Sequence, residues 1–191
     1  MPNKIQYGIK NCHYATYEEV DGEIIYDTPV RIPGAVELTL EPRGELGEFY
    51  ADDILYYSAS NNQGYDGTLS IATVPETFAV DCLGEVKDET DAVLTENANQ
   101  KGKPFAFLFE FDGDVRARRY VLYNCTANRS TLSSSTKTDT VEPQPAELSF
   151  VASARHTDYN VKSRTTTNTP QAVYDNWYTA VYEPAKGEES L

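Results

Sequence analysis

Phe105, Phe107, Phe109 and Phe111 stand at alternate positions, and no other feature of this chain narrows its fold so far. In an extended strand side chains alternate between faces, so all four rings fall on one side; a helix would scatter them round its circumference. Asp112-Gly113 follows, a pair that favours the positive φ angles of a tight hairpin turn, and Val115–Cys125 reads as the return strand. A ribbon with one face this aromatic needs a deep core beneath it. The chain is therefore expected to be a β-sheet scaffold before any function is considered.

Alternation elsewhere points the same way. Over Ala35–Leu40, Val36, Leu38 and Leu40 alternate with Glu37 and Thr39, and over Glu147–Ala154, Leu148, Phe150 and Ala152 share one side. Shorter strands are expected at Ile5–Lys10, Cys12–Val20, Glu23–Tyr26, Thr68–Val74, near Ala92–Thr95 and at Val161–Thr167, with Asp21-Gly22 as a second hairpin turn. One helix is expected over 75–84, with Pro75 in its first turn and Gly84 at its end. Many strands and one helix predict a mainly β fold, a β-sandwich or barrel-like body with one flanking α-helix. The 191 residues suit a single domain spanning 1–191. It would carry a long inter-strand loop at 41–66, a C-terminal arm or edge element at 169–184 and a flexible tail at 185–191.

The net charge of −14 is unevenly spread. Residues 11–100 hold nineteen Asp or Glu against only Arg31, Arg43 and Lys87, whereas residues 101–191 balance eleven acids with eleven bases. So acidic a body repels phosphate, which excludes a conventional nucleic-acid binder. It reads either as simple solubility or as a surface that lies near a polyanion without adhering. Met1–Lys10 lacks the apolar run of a signal peptide, and no stretch approaches the ~18 apolar residues of a membrane helix. A soluble protein made in a cytoplasm, with no membrane partner, is the expectation.

Catalytic chemistry has little to work with. Cys12, Cys82 and Cys125 are too few and too scattered for a disulfide framework or a zinc site and are expected as buried thiols. His13 and His156 stand apart without metal-ligand spacing, and neither a phosphate-cradling Gly-rich loop nor a Gly-x-Ser-x-Gly elbow occurs. Acid pairs such as Asp52-Asp53 could flank a glycosidic bond, but carboxylates are so abundant here that the pair carries almost no information. No enzyme, cofactor or metal is expected. Residues 41–66, by contrast, mix Gly, Pro and acids with Phe49, Tyr50, Tyr56 and Tyr57, and aromatics among charges bury large areas on contact with a partner. An alternative use of such rings is a sugar groove, built from Tyr56, Tyr57 and Trp177, in a carbohydrate-binding β-sandwich module of a phage or cell surface. The missing secretion signal weighs against it.

Several segments, in order along the chain, resemble the major tail proteins, or tail tube proteins, of long non-contractile-tailed phages (siphophages) of Gram-positive bacteria. They are Tyr7–Ala15, Thr28–Pro42, Tyr50–Asp53, Gly64–Leu69, the Phe hairpin, and Tyr174-Asp175-Asn176-Trp177-Tyr178 with Val181–Pro184. The resemblance implies a β-sandwich with a flanking helix, assembled as hexameric rings stacked into a hollow virion tail tube, formed in the host cytoplasm around a tape-measure protein and delivering DNA to the host. A tail terminator and a distal tail protein are implied as further partners, with DNA passing the lumen without specific binding. By position, 41–66 would be the assembly loop. Phe49, Tyr50, Asp52, Asp53, Tyr56, Tyr57, Trp177 and Tyr178 are then candidates for contact between subunits. Arg116, Arg118 and Arg119 are candidates to pair with acids of a neighbour, or equally to pair within the subunit. Glu37, Thr39 and Glu41, on the polar face of a half-buried strand, are lumen candidates.

Overall fold

The Phe hairpin is the centre of the molecule. The computed structural model describes residues 3–131, 134, 136 and 144–185; most of the Ser/Thr/Pro-rich connection at 128–145 and the expected tail beyond residue 185 lie outside them. In chain order the strands are β1 (Gln6–Val20), β2 (Glu23–Tyr26), β3 (Val30–Arg31), β4 (Ala35–Pro42), β5 (Leu46–Ala51), β6 (Ile54–Ser60) and β7 (Tyr65–Ile71). Helix α1 (Glu76–Leu83) follows, then β8 (Val86–Lys87), β9 (Leu94–Thr95), β10 (Phe105–Gly113), β11 (Arg118–Ala127), β12 (Ala146–Ser153) and β13 (Lys162–Arg164). A short helix α2 (Gln171–Asp175) runs into a 3-10 turn, Asn176–Tyr178.

Nine strands form one antiparallel sheet with the order β2-β1-β10-β11-β12-β7-β4, β13 adding to β11 and β3 to β1. Because β3 leads directly into β4, the far edge of the sheet returns to its beginning and the sheet curls into a barrel. Closure is partial. His13 and Tyr14 pair with Arg31 and Val30, and the Ile32 amide donates to the Cys12 carbonyl at 2.7 Å. Beyond Pro33-Gly34 the pairing stops, and no ladder joins β1 to β4 although the two strands stay close. Pro33 has no N–H to continue the pairing.

The barrel interior holds the predicted rings. Phe105, Phe107 and Phe109 are buried with Tyr14, Leu69, Ile71, Leu122, Leu148 and Phe150, and Phe111 packs against them at the rim. Adjacent rings sit 5.1 to 5.4 Å apart, as for Phe107 and Phe150 at 5.3 Å and Phe109 and Tyr120 at 5.1 Å, within the range of favourable aromatic pairs. Helix α1 plugs one end: Phe78, edge-on to Tyr14 and Phe105, is buried with Ala79 and Cys82. Pro75 precedes the helix and Gly84 ends it with a left-handed φ of 79°, as its sequence predicts.

Three expectations need correction. The turn of the Phe hairpin is not at Asp112-Gly113: β10 continues through Gly113, and β11 starts only at Arg118. Asn3 explains the shift, since its side chain donates to the Arg116 carbonyl at 2.6 Å and accepts from the Val115 and Arg116 amides, so a residue over a hundred positions away fixes the longer connection. The strand expected at Thr68–Val74 starts earlier, at Tyr65, so Gly67 lies inside β7, opposite Phe150, where an added Cβ would stand 2.2 Å from the Phe150 ring. Residues 41–66, read as a loop, contain the hairpin β5–β6.

Candidate assembly surfaces

Hairpin β5–β6 makes its own two-stranded sheet and forms no ladder with the barrel. Its root is tied by the Arg43 amide to the Gly64 carbonyl (2.8 Å) and the Gln63 amide to the Arg43 carbonyl (3.1 Å). Asp52 and Asp53 make the turn with φ of 52° and 62°, the pair of positive angles that matches strand twist in a two-residue hairpin. The register places Gly47 with Ala59, Phe49 with Tyr57, and Ala51 with Ile54 on one wholly uncharged face. The opposite face carries Leu46, Tyr50 and Leu55, and its single carboxylate, Glu48, accepts a hydrogen bond from the Tyr50 hydroxyl at 2.8 Å. Seven large apolar side chains here are exposed, Tyr56 at 71%. Two-stranded ribbons are marginal alone, and apolar patches of this kind mark contact surfaces.

A second uncovered surface is polar. Glu37, Thr39 and Glu41 are exposed on the outer face of β4, and the register extends them across β7 and β12 as Glu37–Ser70–Glu147, Thr39–Thr68–Ser149 and Glu41–Asp66–Val151. Four carboxylates and four hydroxyls cover these nine positions with no base among them. Arg43 approaches Asp66 at 3.5 Å from the rim.

The other outer face, over β1, β10 and β11, is covered by the C-terminal segment. Trp177 is 2% exposed among Ala15, Ala106, Leu108, Val121 and Tyr123, its indole N–H donating to the Tyr120 carbonyl at 3.3 Å. The Tyr174 ring lies between the guanidinium groups of Arg116 (3.5 Å) and Arg119 (3.7 Å). Arg119 also donates to Glu110 at 3.0 Å, and this buried carboxylate accepts from Asn11 (2.7 Å) and from the Tyr178 hydroxyl (3.1 Å). Further along, the buried Arg155 holds Glu183 at 2.7 and 2.8 Å and pairs with Asp158. Residues 169–184 are thus no free arm, and Arg116, Arg119, Trp177 and Tyr178 spend their contacts inside their own chain. Arg118 differs: half-buried opposite Phe111, its guanidinium makes no hydrogen bond or ion pair among the described residues. Burial of Trp177 also removes it from any sugar groove with Tyr56 and Tyr57.

Sequence reasoning passed over Glu110 and Arg155. The signal for Glu110 was available: Ala106 and Leu108 make the second parity of β10 apolar too, so a strand buried on both faces has a carboxylate within it. Arg155 gave no local signal. The three thiols are buried, and burial pushes Cys12 up to about 12 and the others higher, so they remain protonated and unreactive.

The description of the family that matches residues 3–189 is phage tail tube protein. No curated protein sequence matches the chain. Among solved structures it is similar to that of an anti-feeding prophage cap, the tube terminating cap, with 12% identity and a TM-score of 0.46 over 85% of this chain and 93% of that one.

Proposed function

This chain belongs to the phage tail tube protein family, a structural component of virion tails and not an enzyme, and we propose that its copies form hexameric rings stacked into a hollow tube through which DNA reaches the host. The observation that carries this reading is hairpin β5–β6, whose large exposed apolar side chains form a patch of the kind that marks a contact surface. Phe49, Tyr50, Asp52, Asp53, Tyr56 and Tyr57 are the contact residues. A ring and its stacking are heterologous contacts, one face of a copy meeting a different face of the next, and Arg118 remains available to meet acids of a neighbour.

The polar face of β4, β7 and β12 suits the lumen, with Glu37, Thr39 and Glu41 as its first row. Carboxylates repel the phosphates of passing DNA, and hydroxyls hold water without charge, so the duplex slides without adhering. Tape-measure, tail terminator and distal tail proteins are the partners of such a tube, the phage a siphophage of Gram-positive bacteria, and assembly takes place in the host cytoplasm. Electron microscopy of purified protein tests the reading: hollow tubes or rings of uniform width are expected, and protein that stays dispersed at every concentration, with or without a tape-measure partner, overturns it.

A further inference from the structure

Where the barrel fails to close, β1 and β4 come within 8 Å of each other in Cα position at several residues but share no ladder, which leaves a fork of unpaired edges. The pairing of β1 with β3 closes its inner end at Pro33-Gly34. Its outer half is a groove of about 260 Å³ lined by Tyr7, Ile9, Val36, Leu38 and Phe111, with one carboxylate, Glu37, among them. Around it Ile5, Tyr7 and Val36 are 59%, 55% and 60% exposed. At its inner end stands Arg31, exposed, its guanidinium without hydrogen bond or ion pair among the described residues.

We infer that this fork receives hairpin β5–β6 of a second copy, with the acidic turn Asp52-Asp53 against Arg31. The inference rests on the assembly proposed above and names the surface that the hairpin meets. Three properties match. Both carry large exposed apolar side chains, seven on the hairpin and Ile5, Tyr7 and Val36 at the fork, so each supplies what the other lacks. Their lengths agree: β5 and the open stretch of β1 from Gln6 to Asn11 each span six residues, roughly 20 Å in extended chain. Their charges are complementary, because the hairpin ends in two carboxylates and the fork ends in an unpaired guanidinium in a chain otherwise crowded with acids. Open strand edges also invite a partner and need covering. The contact joins different faces of identical copies and therefore propagates, as a ring or a stack requires.

Cysteine pairing tests the geometry. A Val36→Cys protein and a Phe49→Cys protein, mixed, polymerised and oxidised, are expected to give covalent dimers on a denaturing gel, which neither gives alone. Charge exchange tests the electrostatics. Arg31→Glu is expected to fold with an unchanged thermal transition yet need about tenfold more protein to form tubes, equivalent to roughly 1.4 kcal/mol. Asp52→Lys with Asp53→Lys, added to Arg31→Glu, is expected to restore assembly. Tubes that form without the mixed dimer, or an Arg31→Glu protein that assembles as the parent does, overturn the docking while leaving the tube intact. Parent protein that never assembles overturns the tube and the docking together.

Discussion

At the scale of single residues, most large side chains work inside their own chain. Trp177 is buried at 2% and links the C-terminal segment to β10 and β11 through both its ring and its N–H. Trp177→Ala is expected to cost about 3–5 kcal/mol of monomer stability, because it leaves a cavity against Leu108 and Val121. Tyr56→Ala, at a position 71% exposed, is expected to leave monomer stability within about 0.5 kcal/mol while impairing assembly. Urea unfolding of the two variants separates the roles. Asp158 gives a pH signature. Hydrogen bonds from Arg155 hold its carboxyl at about 2, below the ordinary ~3.9. A depressed folded value means that this pair's contribution is fully present above about pH 4 and is lost as pH falls through about 2. The stability difference between parent and Asp158→Asn is therefore expected to be constant from neutral pH down to about 5 and to shrink below about 4 in acid-titrated denaturation curves. Its size is small, since the carboxylate is 34% exposed.

At the scale of elements, the barrel and the hairpin have opposite dependences on neighbours. The barrel has a filled interior, a helical plug and a covered outer face. Hairpin β5–β6 has none of these and contributes no side chain to either buried cluster. Replacing residues 46–60 by a short Gly-Ser turn is expected to leave the thermal transition of the monomer within a few degrees, since closing a loop of either length differs by under about 1 kcal/mol. The same deletion is expected to abolish tubes. In the parent protein, amides of β5 and β6 are expected to exchange with solvent within seconds in the monomer and to become strongly protected in the tube, whereas those of β10 and β11 stay protected in both. Equal exchange of the hairpin in the two states would remove it from the interface.

At the scale of the whole molecule, charge opposes what apolar surface promotes. Copies with a net charge of −14 repel one another, and the repulsion reaches as far as the screening length, about 30 Å in 10 mM salt and about 8 Å near 150 mM. The lowest protein concentration that yields tubes is therefore expected to fall as salt rises over this range, measured by sedimentation. A threshold that rises with salt would show attractive pairs, such as Asp52 and Asp53 with Arg31, outweighing the net repulsion.

The amino-acid sequence by itself determined what depends on near neighbours. Alternating Phe105 to Phe111 required a strand with a buried face, Pro75 and Gly84 bounded a helix, and the motif series in chain order identified the family. It also marked 41–66 as a segment rich in exposed aromatics. Tertiary structure decided everything that depends on distant partners. Asn3 moved the turn of the Phe hairpin. The fold-back of residues 169–184 put Trp177 into a second core with Tyr178 packed against it, and gave Arg116 and Arg119 partners within their own chain. The register across β4, β7 and β12 assembled one acidic, hydroxylated face from three separate strands. The physical reason is range: side-chain alternation and backbone preference act over a few residues, whereas burial depends on which surfaces the closed chain brings together.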